Sequence, residues 1–210
     1  MKRFLRVAAW LAFPLIVVAA GSMLWMQGRG VSARPQPSRL EARGALLMRS
    51  WMTPATYKGL KNPVSASEEN FVAAREHFAD HCSTCHANDG SGSTEMGRNL
   101  YPKAPDMRLP RTQRLSDGEL FYFIENGVRL TGMPGWSTGT PEGEKSSWQL
   151  VHFIRRLPTL TADDLAVMER FNPTSRAQIE EEKQVEDFLN GGDPPPSPPA
   201  ADPHAGHKKQ

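Results

Sequence analysis

Ser67-Glu68-Glu69-Asn70-Phe71-Val72-Ala73-Ala74-Arg75-Glu76-His77-Phe78-Ala79-Asp80-His81-Cys82-Ser83-Thr84-Cys85-His86 decides how this chain is read. Ser67 is an N-cap, and Glu68 and Glu69 stand in a first turn where the helix dipole favours anions. Phe71, Ala74 and Phe78 then recur at three- and four-residue spacing, and Cys82 comes one turn later. The spacing predicts an amphipathic helix whose apolar face points to the same side as the two thiols that follow.

Cys82-Ser83-Thr84-Cys85-His86 holds both cysteines of the chain and has the C-x-x-C-H form of a haem attachment site. Two residues between the thiols let one turn of backbone present both sulfurs to one porphyrin edge, and His86 is carried beneath the ring, where an imidazole nitrogen can bind iron. Other readings fit less well. Zinc needs four ligands, and neither a second Cys pair nor an H-x-x-x-H partner completes the set. A thioredoxin-like redox pair needs a βαβ setting, whereas these flanks are helical and Gly/Pro-rich. A structural disulfide has no use for the adjacent His.

Outward from the motif, charge divides the 210 residues unevenly although the net is only +2. Residues 1–65 carry ten Lys and Arg against one Asp or Glu, residues 66–160 ten against twelve, and residues 161–193 three against nine. That is a basic membrane-proximal segment, a near-neutral core and an acidic extension. Nucleic-acid binding is not expected, because no basic patch in the core is interleaved with aromatics. At the N-terminus, Lys2, Arg3 and Arg6 precede an uncharged run from Val7 to Gly28, 22 residues. At about 1.5 Å per residue it can cross a hydrocarbon core of about 30 Å. The positive-inside bias leaves the N-terminus cytoplasmic and exports the rest. Val18-Ala19-Ala20 offers a signal-peptide cleavage site as the rival, but hydrophobicity continues through Met23, Leu24, Trp25 and Met26, which favours an uncleaved single-pass anchor over residues 1–28.

Residues 29–65 read as a linker. Arg34-Pro35-Gln36-Pro37 is extended, and Leu40, Leu47 and Trp51 form an apolar stripe expected to pack on the domain or, as the alternative, on the membrane interface. Asn88 to Pro110 is expected to be a long loop. Ser116-Asp117-Gly118-Glu119 is a capping box opening a second helix, with Leu120, Phe121, Phe123 and Ile124 inside and Gly127 at its end. Ser147 is expected to cap a third, with Trp148, Val151 and Ile154 as its stripe and Pro158 as its stop. No alternating strand pattern occurs, so the fold class is all-α. Thr161 and Ser175 are expected to cap two further helices of an acidic extension over 161–190, with Leu165, Met168 and Phe171 on one and Ile179, Val185, Phe188 and Leu189 on the other. Residues 191–210 are Pro/His-rich and expected to be disordered, with His204 and His207 too few to make more than a weak metal site.

A Met sulfur opposite His raises a haem's potential, and nine methionines compete for that position. Met96, Met107 and Met133 lie within the core; Met133 stands out because Gly132 and Pro134 flank it in a tight loop between two helices. The other two remain open on loop geometry. His77, His81 and His152 are expected to be structural or surface residues, and Arg98, Tyr101 and Trp136 are candidates for contacts to haem propionates.

In order and spacing, His81 to His86, the Asp89-Gly90-Ser91-Gly92 turn, the Pro102 to Asp106 loop, the Ser116 to Gly127 helix, Gly132-Met133-Pro134-Gly135-Trp136 and the Trp148 to Leu157 helix resemble class I c-type monohaem cytochromes over about residues 65–158. The resemblance implies a fold of about three core helices around one covalent haem c, in a domain spanning 66–160. It also implies Cys82 and Cys85 as thioether links, His86 as proximal ligand, Met133 as distal ligand, and the carbonyl of Pro102 or Pro105 as acceptor for the proximal imidazole N–H. The expected function is electron transfer, not enzymatic turnover, between respiratory redox partner proteins. The protein would be held to the cytoplasmic membrane by lipid contact through the N-terminal helix, with the haem on the periplasmic side. The alternatives are the haem subunit of a periplasmic dehydrogenase or reductase, for which the acidic helices would dock the catalytic partner, and a gas or peroxide site at an iron that lacks Met133.

Overall fold

The computed structural model describes residues 2–30, 32–174 and 176–191; the side chains of residues 2, 4–9, 11, 29, 176–178 and 182 lie outside that description. In chain order the elements begin with α1 (Lys2–Arg29), α2 (Arg39–Met52), α3 (Ala55–Lys58) and α4 (Glu68–His77). A π turn (Phe78–Cys82) leads to α5 (Ser83–His86), α6 (Glu95–Asn99), α7 (Pro110–Gln113) and α8 (Asp117–Asn126). Then come α9 (Pro141–Arg156), a 3-10 turn (Leu157–Thr159), α10 (Ala162–Glu169) and α11 (Arg176–Leu189). Among the described residues there is no strand. Residues 1–171 form one compact unit and residues 172–210 a second.

Three helices make the core. Phe71 of α4 stacks on Phe153 of α9 at 5.8 Å, and Phe78 of the π turn meets the same ring at 4.7 Å. Phe121 of α8 lies flat on Trp148 of α9 at 4.0 Å. All five rings are buried, each worth about 1.5–3 kcal/mol of removed apolar surface. Polar ties fix the register: Gln149 Nε2 donates to Asn70 Oδ1 at 2.8 Å, Asn62 Nδ2 to the Trp148 carbonyl at 2.8 Å, and Arg155 pairs with Asp117 at 2.7 Å.

Several helix starts are as their caps dictate. Ser67 Oγ accepts from Asn70 N, and Ser116 and Glu119 close a reciprocal capping box. The third core helix starts earlier than expected. Thr140, not Ser147, is its N-cap; Pro141 takes the first helical position, Glu142 and Glu144 fill the first turn, and Ser147 lies buried within the helix. A proline at N1 is pre-set for helix and gives up only an N–H with no partner there, so Pro141 and Gly143 begin the helix instead of continuing the loop. The stretch from Asn88 to Pro110 holds α6, capped by Thr94, so it is not wholly loop. Phe123 is only half-buried, with the Arg49 guanidinium 5.1 Å over its ring.

α10 belongs to the unit that ends at Phe171: Met168 is fully buried in the core, Leu165 packs against it, and Asp164 meets Arg75 of α4 at 3.1 Å. Thr161 caps α10 in a reciprocal box with Asp164. Phe171 and, in the second unit, Ile179, Val185, Phe188 and Leu189 are exposed. The Ser175 cap and the tail from 192, with His204 and His207, lie outside the described residues.

Packing of the α2 stripe on the domain does not occur: Leu40 is 82% exposed, Leu47 73% and Trp51 81%. In α1 every large apolar side chain that is described, from Trp10 to Met26, is more than half exposed. Among the described residues no helix is long and apolar enough to cross a membrane. The unbroken run of described side chains in α1 covers only 12–28, while the uncharged run of the sequence begins at Val7.

Candidate functional site

The thiols are delivered by a helix that is nailed into the core one turn before them. Phe71, Ala74, Phe78 and Ala79 are buried, and the π turn widens the helix at Phe78–Cys82. Ser83 Oγ donates to the Ala79 carbonyl at 2.6 Å across that turn. Cys82 and Cys85 are not joined in a disulfide. Burial, with a smaller contribution from Cys85, pushes the Cys82 thiol up to about 12, and burial raises Cys85 as well. Among the described residues no group of three or more His, Cys, Asp or Glu is arranged to hold a metal ion.

Burial lowers the His86 pKa, so its imidazole is neutral and keeps a lone pair near neutral pH. Its Nδ1 is buried and has no hydrogen-bond partner. The bond expected from the imidazole to the carbonyl of Pro102 or Pro105 is therefore not formed. The Pro105 carbonyl lies instead against Gly92, where an added Cβ would sit 3.2 Å from it and 2.5 Å from the Ala104 carbonyl. Immediately after His86 the chain reverses through Ala87 at φ 58°, a strained backbone for a residue with a Cβ, and Gly92 N then donates to the His86 carbonyl at 2.8 Å. Gly97 packs on the Cys85 carbonyl so closely that any side chain there would collide with it. Arg108 joins Asp89 and Asp106, each at 2.8 Å, and its hydrogen bonds hold the Asp106 carboxyl below the ordinary carboxylate range. The segment from 87 to 108 is thus a clamped wall behind the thiols.

The Met133 loop packs against both α8 and the thiol-bearing segment. Gly127 ends α8 at φ 68°, and a Cβ there would come within 2.6 Å of the Met133 carbonyl and of Gly135 N. Val128 N donates to the Met133 carbonyl at 3.1 Å, and Trp136 N to Ile124 O at 2.9 Å, so the loop is docked on the end of α8. Two contacts bring it to the thiol-bearing helix and its wall. Trp136 meets His81 edge-on at 5.6 Å, and Gly132 lies against the Leu100 side chain. Met133 is half-buried at the tip. Of the rivals, Met107 is 7% exposed and belongs to the hydrophobic core, and Met96 is 52% exposed on α6.

The remaining polar candidates have protein partners. His152 Nε2 lies 2.7 Å from the Val64 carbonyl, Arg98 donates to Ser93, and the Tyr101 hydroxyl bonds Glu41. His77 and His81 stack edge-on at 4.9 Å, and Asp80 pairs with His81. The His81–Trp136 contact was not legible beforehand, since it joins residues 55 positions apart. Paired thiols, a half-buried neutral imidazole with an unsatisfied Nδ1, and a methionine loop packed against the thiol-bearing segment suit a covalently held porphyrin.

Residues 69–154 match the family model described as cytochrome C oxidase, cbb3-type, subunit III. No curated protein matches the chain.

Proposed function

Since residues 69–154 are a class I c-type cytochrome domain that carries covalent haem c and serves electron transfer among redox partner proteins, we propose that this chain is a membrane-anchored, single-haem electron carrier. In it Cys82 and Cys85 would hold the haem, and His86 and Met133 would bind its iron. The observation that carries the ligand assignment is the docking of the Met133 loop beside the thiol-bearing helix through Trp136 and His81.

Bound there, the haem supplies reversible one-electron chemistry at its iron. The chain's own residues set the conditions for it. His86 presents a neutral imidazole because partial burial lowers its pKa. Gly127 and the Trp136 backbone bond dock the Met133 loop on the end of α8, so Met133 would be offered to the haem from a fixed backbone. A Met133 thioether together with the His86 imidazole would favour the reduced state, which suits a carrier that hands electrons on. Iron held by both His86 and Met133 would have no position left for substrate, and turnover is not expected.

The anchor reading rests on α1. Its 28 residues reach about 42 Å at 1.5 Å per residue, its uncharged run of 22 residues is enough for a core of about 30 Å, and its described large apolar side chains are more than half exposed. The basic residues at its start favour a cytoplasmic N-terminus and a haem domain on the periplasmic side. A second reading, the haem subunit of a larger redox enzyme, has support in the family description, which is that of an oxidase subunit. Co-purification with a catalytic subunit in fixed ratio would favour it, and a monodisperse lone cytochrome after mild detergent extraction would count against it.

An optical and redox titration of the wild type and Met133→Ala tests the assignment. The wild type should show the sulfur-to-iron band toward the red end and, when reduced, should fail to bind carbon monoxide at neutral pH. Met133→Ala should lose the band, bind the gas and have a lower potential. Survival of the band in the variant refutes Met133 as ligand.

A further inference from the structure

α2 is an amphipathic helix turned inside out. The side toward the domain is Ala42, Leu46, Arg49 and Thr53, partly or fully buried. It is held by the Arg49 guanidinium over Phe123 and by the Glu41–Tyr101 bond, and Lys58 Nζ caps the Ser50 carbonyl at 2.5 Å. The outer side is Leu40, Gly44, Leu47 and Trp51, all exposed, with Met48 and Met52 beside them and also more than half exposed. A contiguous apolar stripe of this kind on a water-facing surface calls for a partner.

Its charges say which. Arg39 and Arg43 are exposed along the stripe, and Arg34 is exposed in the linker before it. Glu41, the only acid within residues 1–65, is engaged by the Ser38 cap and by Tyr101. An apolar strip bordered by unneutralised arginines, with a Trp and a Met at its end, matches the boundary layer of an anionic bilayer. Only residues 30–38 separate α1 from α2. Nine residues span at most about 32 Å when fully extended, so α2 cannot travel far from the surface at which α1 emerges.

We propose that α2 lies along the membrane surface, its Leu40, Leu47 and Trp51 stripe sunk at the headgroup boundary and Arg39 and Arg43 on anionic lipid headgroups. This rests on the reading of α1 as an anchor. The haem domain is then bracketed to the bilayer through α2 and does not swing on a loose tether, and the Tyr101 turn, bonded to Glu41, is held on the membrane side.

The test uses the full-length holocytochrome in vesicles of phosphatidylcholine and phosphatidylglycerol. Single spin labels go on Leu47→Cys, Ala45→Cys and Val17→Cys, with Cys82 and Cys85 already consumed by the haem. Collision with oxygen, which concentrates in lipid, is compared with collision with a water-soluble nickel chelate. The label at 47 should favour oxygen several-fold over the label at 45, which sits off the stripe, and the preference should fall in Arg39→Gln/Arg43→Gln. If position 17 reads lipid while 47 is as open to nickel as 45, the proposal fails and the anchor stands. If position 17 reads water, the anchor itself fails. Protection of 47 that appears in native membranes but not in the vesicles would assign the stripe to a protein partner and overturn the lipid assignment.

Discussion

α9 carries Trp148, Val151 and Ile154 at three-residue spacing and buries all three; α2 carries Leu40, Leu47 and Trp51 at seven- and four-residue spacing and buries none of them. Both have a reciprocal or side-chain N-cap and both have a clear apolar stripe. What differs is the surface each meets. α9 is met on two sides by rings, Phe71 and Phe78 from the thiol-bearing segment and Phe121 from α8. The matching position on the outer face of α8 is already taken by α3. Tyr57 stacks on Phe121 and meets Tyr122 edge-on at 4.9 Å, and Gly118 lets the Tyr57 carbonyl approach where no side chain would fit. α2 is left with Phe123 and the Tyr101 turn, which it contacts through Arg49 and Glu41. An amphipathic pattern states that a helix has an apolar face, and the competition for neighbours decides what covers it.

The comparison can be broken at its strong end first. Trp148→Ala should cost the holoprotein about 3–5 kcal/mol in denaturant unfolding, because it removes the ring under Phe121 and leaves a cavity between α8 and α9. A cost below about 1 kcal/mol would mean that α9 is no better covered than α2. Gly127→Ala comes next. It forces a Cβ onto the Met133 and Gly135 backbone at a positive φ and should cost about 1–3 kcal/mol. The sulfur-to-iron band should also weaken although Met133 is untouched, a readout that general destabilisation would not produce at temperatures where the variant is folded.

A smaller effect concerns α10. Burial by itself would raise the Asp164 carboxyl, but hydrogen bonds from Thr161 and Arg75, together with the Arg75 charge, outweigh it and hold the carboxyl below its ordinary value. A carboxyl depressed in the folded state stabilises above its unfolded pKa of about 3.9 and loses that contribution as pH falls through the lower, folded value. Amide exchange at residues 162–169 should therefore speed up relative to α9 as pH drops below about 4 once the intrinsic pH dependence of exchange is divided out. Asp164→Ala should remove that pH dependence and cost about 1–2 kcal/mol at neutral pH. The smallest effect belongs to the other end of the comparison. Trp51→Ala should change unfolding of the detergent-solubilised protein by no more than about 0.5 kcal/mol, as for an exposed surface substitution.

Much of the site could be read along the chain because its chemistry is local. Both thiols and the imidazole stand within five residues, and the helix that delivers them is announced by Ser67, Phe71, Ala74 and Phe78. The Ser116 to Glu119 box and Gly127 mark α8 at both ends for the same reason, since caps act within one turn. Ser147 misled because Ser is a good cap in isolation, while the helix had already begun at Pro141 with a cap of its own. Met133 stands out in the sequence through Gly132 and Pro134, but that Met107 is core filler is shown only by its place in the buried cluster, at 7% exposure.

The sequence by itself determined the covalent logic of this protein, namely two thiols and a histidine at the end of an amphipathic helix, the caps of the first two core helices and an uncharged run at the N-terminus. Short-range rules govern each of these, and short-range rules are written in neighbouring residues. Only the tertiary structure decided that the Met133 loop meets the thiol helix through Trp136 and His81, that α10 closes the core with Met168, and that α2 faces outward. Each of those depends on which of several competent surfaces reaches a neighbour first, and packing volume, not local preference, settles that choice.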